Sequence, residues 1–462
     1  MSSHDLSGLV KAYDVRGVVP EQFDENVARA LGAAFARLVG GEGSTAIVTA
    51  HDMRESSVPL SRAFAEGAMN QGLSVVEAGL GSTDMLYFAA GHLNLPGAMF
   101  TASHNPAQYN GIKLCRAGAT PIGQASGLTT IRETAERILD EGIAPAGAPG
   151  RISGVDLLGE YAKYLRSLVD LRGIRPLKVV VDAGNGMGGH TVPVVLGEGL
   201  PLTIVPLYFE LDGNFPNHEA NPLDPANLAD LQKAVVEHKA DIGLAFDGDA
   251  DRCFVVDELG EPVSPSAITG LVAVRELAKN PGATIIHNLI TSAAVPEIVR
   301  EHGGNPVRTR VGHSFIKAQM AESDAVFGGE HSAHYYFRDF WRADTGMLAA
   351  MHVLAALGES DRPLSALGAD YQRYVASGEI NSVVADQAAS TRAVLDALTG
   401  PQTAIDTLDG TTVSFPDGAW FNLRASNTEP LLRLNVEAAT AERMAEIRDQ
   451  VLALVRSTPE AS

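Results

Sequence analysis

DIGLAFDGDADRCFVV, Asp241–Val256, is the stretch that decides the fold. An apolar run, IGLAF, reads as a buried strand. A polar loop, DGDADR, follows, and a second apolar run, CFVV, leaves it. The same order of strand, polar loop and apolar run recurs twice: GAMFTASHNPAQYNGIKLC at 97–115 and DAVFGGEHSAHYYF at 324–337. Upstream of each lies a strand, a loop and a helix: TAIVTAHDMRESS (45–57), LKVVVDAGNGMGGHTV (177–192) and ATIIHNLITSAAVPEIV (283–299). The likeness is one of pattern and order, not of identity. Strands alternating with helices imply α/β layers, and a unit written three times implies three related α/β domains. Each domain offers one special loop at a strand end, where open α/β sheets bind ligands.

The remainder of the chain differs. After YQRYVASGEINSVVAD (371–386) come a helix at STRAVLDALTG and strand-like runs at TVSF, AWFNLRAS and LLRLNVEA. An amphipathic helix, TAERMAEIRDQVLALV, closes the chain. This reads as a small α+β domain with its own polar loop, RASNTEP. The expected boundaries are 1–150, 151–257, 258–372 and 373–462. Further upstream, DENVARALGAAFARLVG spaces Val27, Leu31, Phe35 and Leu38 as one face of a helix. TVPVVLGEGLPLTIVPLYF, the most apolar long stretch, is broken by prolines, glycines and Glu198, so it reads as core strand and turn and not as a membrane span.

At 462 residues the chain is too long for a single core. Hydrophobic residues make up 45 % and charged residues 20 %, a globular balance that excludes disorder as the main reading. The 56 acidic and 35 basic residues leave a formal charge of −21, which repels nucleic acid and anionic lipid. An anionic substrate therefore needs a local basic site. Two distant cysteines, Cys115 and Cys253, exclude a disulfide scaffold and fit a reducing compartment. The N-terminal run has no apolar segment of the signal-peptide kind, and the expectation is a cytoplasmic protein.

The loops carry the chemistry. In DGDADR, Asp247, Asp249 and Asp251 repel one another unless a cation neutralises them, and carboxylate oxygens suit a hard ion such as Mg²⁺ or Ca²⁺. The three aspartates and Glu258 stand at positions 1, 3, 5 and 12 of an EF-hand loop. However, Arg252 occupies the place of its turn glycine and the flanks are strands, so calcium sensing is rejected. A Mg²⁺ site with few protein ligands leaves room for a phosphoryl oxygen.

TASHNP offers Ser103 beside His104, with Lys113 close by. Ser103 is a candidate phosphoryl carrier. An acyl-transfer serine lacks its G-x-S-x-G elbow here, and an ordinary turn is the third reading. GGEHSAH offers Glu330, His331, Ser332 and His334. Alternating side chains on a strand could grip two sugar hydroxyls, and the competing reading is a zinc site. RASNTEP gathers Arg424, Ser426, Asn427 and Thr428, an inventory for a phosphate dianion or for an Asx/ST turn. VGHSFIK, with His313 and Lys317, could place a helix N-terminus near an anion. The glycines Gly184, Gly186 and Gly189 match G-x-G-x-x-G, so a dinucleotide-binding oxidoreductase stays open as an alternative. The other two units keep the same form without those glycines, which favours a tight turn. A non-catalytic metal-binding module is a further alternative.

Taken together and in order, the four loops closely resemble the α-D-phosphohexomutase superfamily, in particular its bacterial phosphomannomutase/phosphoglucomutase branch. The resemblance spans almost the whole chain. It implies three α/β domains with mixed sheets and a C-terminal α+β domain around a central cleft. It makes Ser103 the phosphoserine and a metal ligand through its phosphoryl group, with Asp247, Asp249 and Asp251 holding Mg²⁺. Glu330, Ser332 and His334 fall in the sugar-recognition loop, and Arg424, Ser426, Asn427 and Thr428 in the phosphate clamp. KAYDVRG resembles the family's N-terminal motif and adds Tyr13 and Arg16. Arg252, Lys113, His104 and His313 carry over as active-site groups, and the last three are candidates for the general base.

The implied reaction moves phosphate between the 1- and 6-positions of a hexose phosphate through the phosphoserine and a hexose 1,6-bisphosphate, which also serves as activator. The resemblance implies a monomer or dimer with hexose phosphates as partners. Two departures matter. Leu289 stands where some relatives have a substrate-contacting lysine. The sugar loop reads GEHSAH and neither GEMSGH nor GEQSGH, which leaves mannose, glucose and glucosamine phosphates open, phosphoglucosamine mutase being the alternative activity.

Overall fold

The computed structural model describes residues 4–142, 144–426 and 431–457. Four sheets follow one another along the chain. In the first, Ala46–His51 lies parallel to both Ser74–Leu80 and Gly97–Phe100, and Gly97–Phe100 turns back antiparallel into Tyr109–Arg116. In the second, Leu177–Asp182 is parallel to Ile242–Phe246, which turns back into Cys253–Asp257. In the third, Thr284–Asn288 is parallel to Phe327–Gly329, which turns back into Tyr335–Phe337. TASHNP, DGDADR and EHSAH are therefore the same turn in three copies: the exit from a buried parallel strand into an antiparallel neighbour.

The sequence dictates this arrangement locally. IGLAF and CFVV are wholly buried, as an apolar run without alternation requires of a strand covered on both faces. The helix Glu25–Gly41 starts where the Asp24 side chain accepts from Val27 N, and it buries Leu31 and Phe35. Leu202–Leu207 departs from its expected place in the core. It is the edge strand of the second sheet and only partly buried, which is where Pro206, lacking an amide donor, can be accommodated.

Every strand pair of the fourth sheet is antiparallel. It runs Val375–Ala376, Leu431–Ala438, Trp420–Ala425, Thr411–Ser414, Ala404–Asp406, with Ile380–Val383 pairing alongside Leu431–Ala438. The helices Gln387–Leu398 and Ala441–Ser457 pack on it. Its core, built on Phe421, Leu434, Ile447 and Val451, is separate from those of the first three domains. No helix among the described residues is long and apolar enough to cross a membrane.

Candidate active site

Three of the turns meet. Ser103 sits in the left-handed region at φ 50° and is 5 % exposed. Its amide donates to Thr101 Oγ1 at 2.9 Å, and its hydroxyl donates to Asp247 Oδ2 at 3.0 Å across the domain boundary. Such a backbone position persists only where the surroundings over-determine it. Arg54 does so here. Buried, it donates to the carbonyls of Ser103, Asn105, Pro106 and Tyr109 and pairs with Asp52 at 3.2 Å. Arg54 was not among the expected site residues. Its signal was available, since it lies in the polar loop HDMRESS after the first strand.

Gly248 lets the two loops touch. A Cβ there would lie 2.4 Å from the Ser103 carbonyl oxygen. Gly186 performs the same service one layer back: its Cβ would lie 2.6 Å from the Gly248 oxygen, which accepts from Met187 N at 2.9 Å. The glycine run that resembled a dinucleotide fingerprint is thus a packing surface for the DGDADR turn.

Asp247, Asp249 and Asp251 are buried, and their oxygens lie within 4.8 Å of one another. Lys113 Nζ donates to Asp249 at 2.7 Å and to Asp251 at 2.5 Å, while Arg252 Nε donates to Asp247 at 3.0 Å. Burial pushes the Asp247 carboxyl up to about 8. Burial also opposes charge on Asp249 and Asp251, but the Lys113 ammonium holds both below the usual carboxylate range. Those two carboxylates in turn keep Lys113 well above its usual range against the effect of burial. Even so, Asp249 Oδ1 and Asp251 Oδ1 are buried without a hydrogen-bond partner. Unmet carboxylate oxygens at that depth cost roughly 1–3 kcal/mol each or more. Three hard oxygen donors with two of them unmet fit a divalent cation. Thr83, also unforeseen, fixes the loop: its amide and hydroxyl both donate to Asp249, at 3.0 and 2.5 Å.

The other expected residues gather around this core. Arg16 donates to Asn105 Oδ1 at 2.6 Å and to Asp14 at 2.5 Å. His104 Nδ1 lies 2.6 Å from Arg252 Nη2 and 3.2 Å from Ser103 Oγ. A guanidinium can only donate, so Nδ1 accepts and the ring is neutral. Burial and then Arg252 push its pKa down to about 3. His334 joins the EHSAH loop to the DGDADR loop, with Nε2 3.8 Å from Asp251 and its backbone bridged to Arg252.

Glu330 is buried and accepts from Tyr336 OH at 2.6 Å, Asn288 Nδ2 at 3.1 Å and Gly312 N at 3.3 Å. Ser332 Oγ is 3.0 Å from His334 Nδ1. His331 faces elsewhere, 3.2 Å from Ser266 Oγ beside a separate cavity of about 320 Å³ lined by Trp420 and Glu437. The two histidines therefore do not converge as a zinc site requires. Tyr13 packs edge-on against His313 with ring centroids 5.0 Å apart, and burial pushes the His313 pKa down to about 4. Lys317, by contrast, is buried 2.8 Å from Asp344.

In the fourth domain, Arg424 is held by Glu379 at 3.2 Å and lies 3.8 Å from Asp409, with Nε unmet. The Ser426 amide donates to Leu431 O at 2.9 Å. Asn427 and Thr428 lie outside the described residues.

The comparisons with known proteins agree with this geometry. Models of the phosphoglucomutase/phosphomannomutase family match in four consecutive pieces: α/β/α domain I over 7–141, domain II over 159–260, domain III over 264–374 and the C-terminal domain over 379–454. The chain belongs to this family. A phosphomannomutase of Escherichia coli is 42 % identical over 457 residues, covering 96 % of this chain and 98 % of its own. A phosphoglucomutase of Neisseria meningitidis is 36 % identical, covering 98 % and 97 %. The crystal structure of a family protein from Burkholderia thailandensis superposes with a TM-score of 0.87 at 33 % identity, covering 97 % of both chains. The oxidoreductase and metal-module alternatives have no support in these matches. The chain is a phosphohexomutase by family, within the α-D-phosphohexomutase superfamily.

Proposed function

We propose that this family member interconverts the 1- and 6-phosphates of mannose and glucose, with Ser103 as the carrier. The observation that carries the reading is the bond from Ser103 Oγ to Asp247, which sets the hydroxyl at the edge of a carboxylate triad with unmet oxygens. Mg²⁺ held by Asp247, Asp249, Asp251 and the seryl phosphate would spread the charge that builds on the transferring group.

In the first step the Oγ–P bond of phosphoserine 103 breaks as a sugar hydroxyl oxygen bonds to phosphorus. The hydroxyl proton passes to a base. The hexose 1,6-bisphosphate then reorients, and the other phosphate returns to Ser103 as the reverse step. Arg16, Lys113 and Arg252 supply positive charge beside the serine. Lys113, an ammonium between two carboxylates, stabilises charge and does not accept the proton. His104 positions Arg252 through Nδ1. His313, neutral and beside Tyr13, is the proton acceptor we propose.

Glu330, Ser332 and His334 would take sugar hydroxyls, while Arg424 and Ser426, with Asn427 and Thr428, would hold the idle phosphate. Accepting either end of the sugar requires a firm grip on phosphate and a near-symmetric one on hydroxyls. The cytoplasm is the compartment we propose, supported by Cys115 and Cys253, both free and buried. Ser103→Ala tests the carrier role: conversion of mannose 1-phosphate and glucose 1-phosphate, primed with hexose bisphosphate, should vanish while thermal unfolding is unchanged. Undiminished turnover refutes it. kcat/KM compared among mannose, glucose and glucosamine 1-phosphates assigns the sugar.

A further inference from the structure

We propose that Arg310 is a second arginine for the substrate's idle phosphate, acting beside Arg424. The inference rests on the phosphohexomutase reading above. Arg310 follows the strand Asn305–Thr309 and is exposed; among the described residues its guanidinium has no ion pair and no hydrogen bond. It is nonetheless held in place: the guanidinium carbon lies 4.7 Å over the Phe315 ring, and that ring packs edge-on against Tyr13 at 6.3 Å. A cation stacked on an aromatic face is pre-ordered without losing its five donors. The chain's net −21 offers acidic partners in excess, yet this ordered guanidinium takes none among the described residues.

Its surroundings identify the ligand. Val311, the next residue, donates its amide to Asp409 Oδ2 at 3.2 Å, the same oxygen that lies 3.8 Å from Arg424 Nη1. One carboxylate oxygen thus marks where the loop of the third domain and the clamp of the fourth meet. Gly312, one residue further on, donates to Glu330, so the loop touches the sugar-recognition residue as well. The neighbouring strand end offers no cation: Asn288 pairs in register with Thr309, and the residue that follows Asn288 is the buried Leu289. A phosphate between Arg310 and Arg424 would receive two planar forks, one from each domain, and so would draw those domains together.

The test compares wild type with Arg310→Ala and Arg310→Lys. Calorimetric titration with glucose 1-phosphate, and with uncharged glucose as control, is run alongside steady-state kinetics. Loss of one charged fork should raise KM and Kd for glucose 1-phosphate roughly tenfold or more, leave kcat within about threefold, and leave glucose binding unmoved. Arg310→Lys should fall between the two. Unchanged KM and Kd in Arg310→Ala overturn the proposal, and so does a loss confined to kcat. Absence of mutase activity in wild type would instead refute the function, and the titration would still read Arg310.

Discussion

Gly248→Ala tests whether catalysis depends on the contact between the Ser103 turn and the DGDADR turn. The added methyl would lie 2.4 Å from the Ser103 carbonyl oxygen, and ordinary contact begins at 3.4 Å, so the loops must part by about 1 Å. The obstacle is backbone, and Arg54 pins that carbonyl from behind at 2.9 Å, so neither side yields cheaply. A 1 Å separation stretches the Ser103–Asp247 bond from 3.0 Å to about 4 Å and breaks it. A misplacement of this size costs roughly 10²-fold in rate, or about 2.7 kcal/mol of transition-state stabilisation. Overpacking should cost a further 1–3 kcal/mol of stability, on the order of what a folded domain can lose and remain folded. The assay couples glucose 6-phosphate formation to NADP reduction and separates kcat from KM. kcat should fall about 10²-fold with KM for sugar nearly unchanged, since no sugar contact is touched. Gly159→Ala is the control, because its methyl meets nothing within 4 Å. A Gly248→Ala enzyme within threefold of wild-type kcat would refute the reasoning.

Mg²⁺ at about 100 times its Kd should raise stability by about 2.7 kcal/mol, read as a shift in thermal midpoint, and Asp249→Asn should abolish most of that shift. Arg54→Met strands four carbonyls and Asp52, and should cost about 3–5 kcal/mol in urea unfolding together with most of kcat. Asp409→Asn can keep the bond from Val311 N while removing the negative charge near Arg424, so KM for hexose phosphate should fall about two- to fivefold; a rise would overturn this view of Asp409. Burial pushes the His287 pKa down to about 4, below its ordinary 6.5. The unfolded chain then binds a proton that the folded one refuses, so this contribution is complete above pH 6.5 and is lost as pH falls to 4, by about 3 kcal/mol over the window. His287→Leu should flatten the slope of urea stability against pH across that range; identical slopes would refute it.

The sequence order of strand, polar turn and apolar run made the three-fold repeat legible, because a hairpin leaving a buried parallel strand needs that pattern of burial. The chemistry of the carboxylate trio was legible for a related reason: like charges so close in a buried setting demand a counter-charge. Thr83 and Gly248 were not legible as site residues, and Arg54 offered only its place in the polar loop HDMRESS. Arg54 and Gly248 meet backbone groups of another segment, and Thr83 meets both the carbonyl and the carboxylate of Asp249; none of these targets is announced by the residue that meets it. Asp409 escaped for the opposite reason: a lone acid in a chain with 56 acidic residues carries no signal until its neighbours are known. The G-x-G-x-x-G run shows how a true steric signal can be misassigned. The glycines do allow a close backbone approach, but the backbone that approaches is the DGDADR turn.

Charge explains why these loops belong on three separate domains. Asp247, Asp249 and Asp251 share one turn and cannot be neutralised by it, because the only cation there, Arg252, bonds Asp247 alone among them. Lys113 comes from the first domain to serve Asp249 and Asp251, and His334 from the third to face Asp251. Each domain by itself would leave a buried charge without a partner, at a cost of several kcal/mol. Docking of the first three domains and assembly of the site are therefore one event. The fourth domain is different: Arg424 finds Glu379 within its own domain, and its contacts with the third domain include Asp409 with the Val311 amide, Asp406 with Arg308 and Glu437 with the Ala293 amide. Arg308 and Asp406 are partly exposed, so moving this domain hands their charges to water, where loss of a pair costs little, in contrast to the buried pairs that join the first three domains.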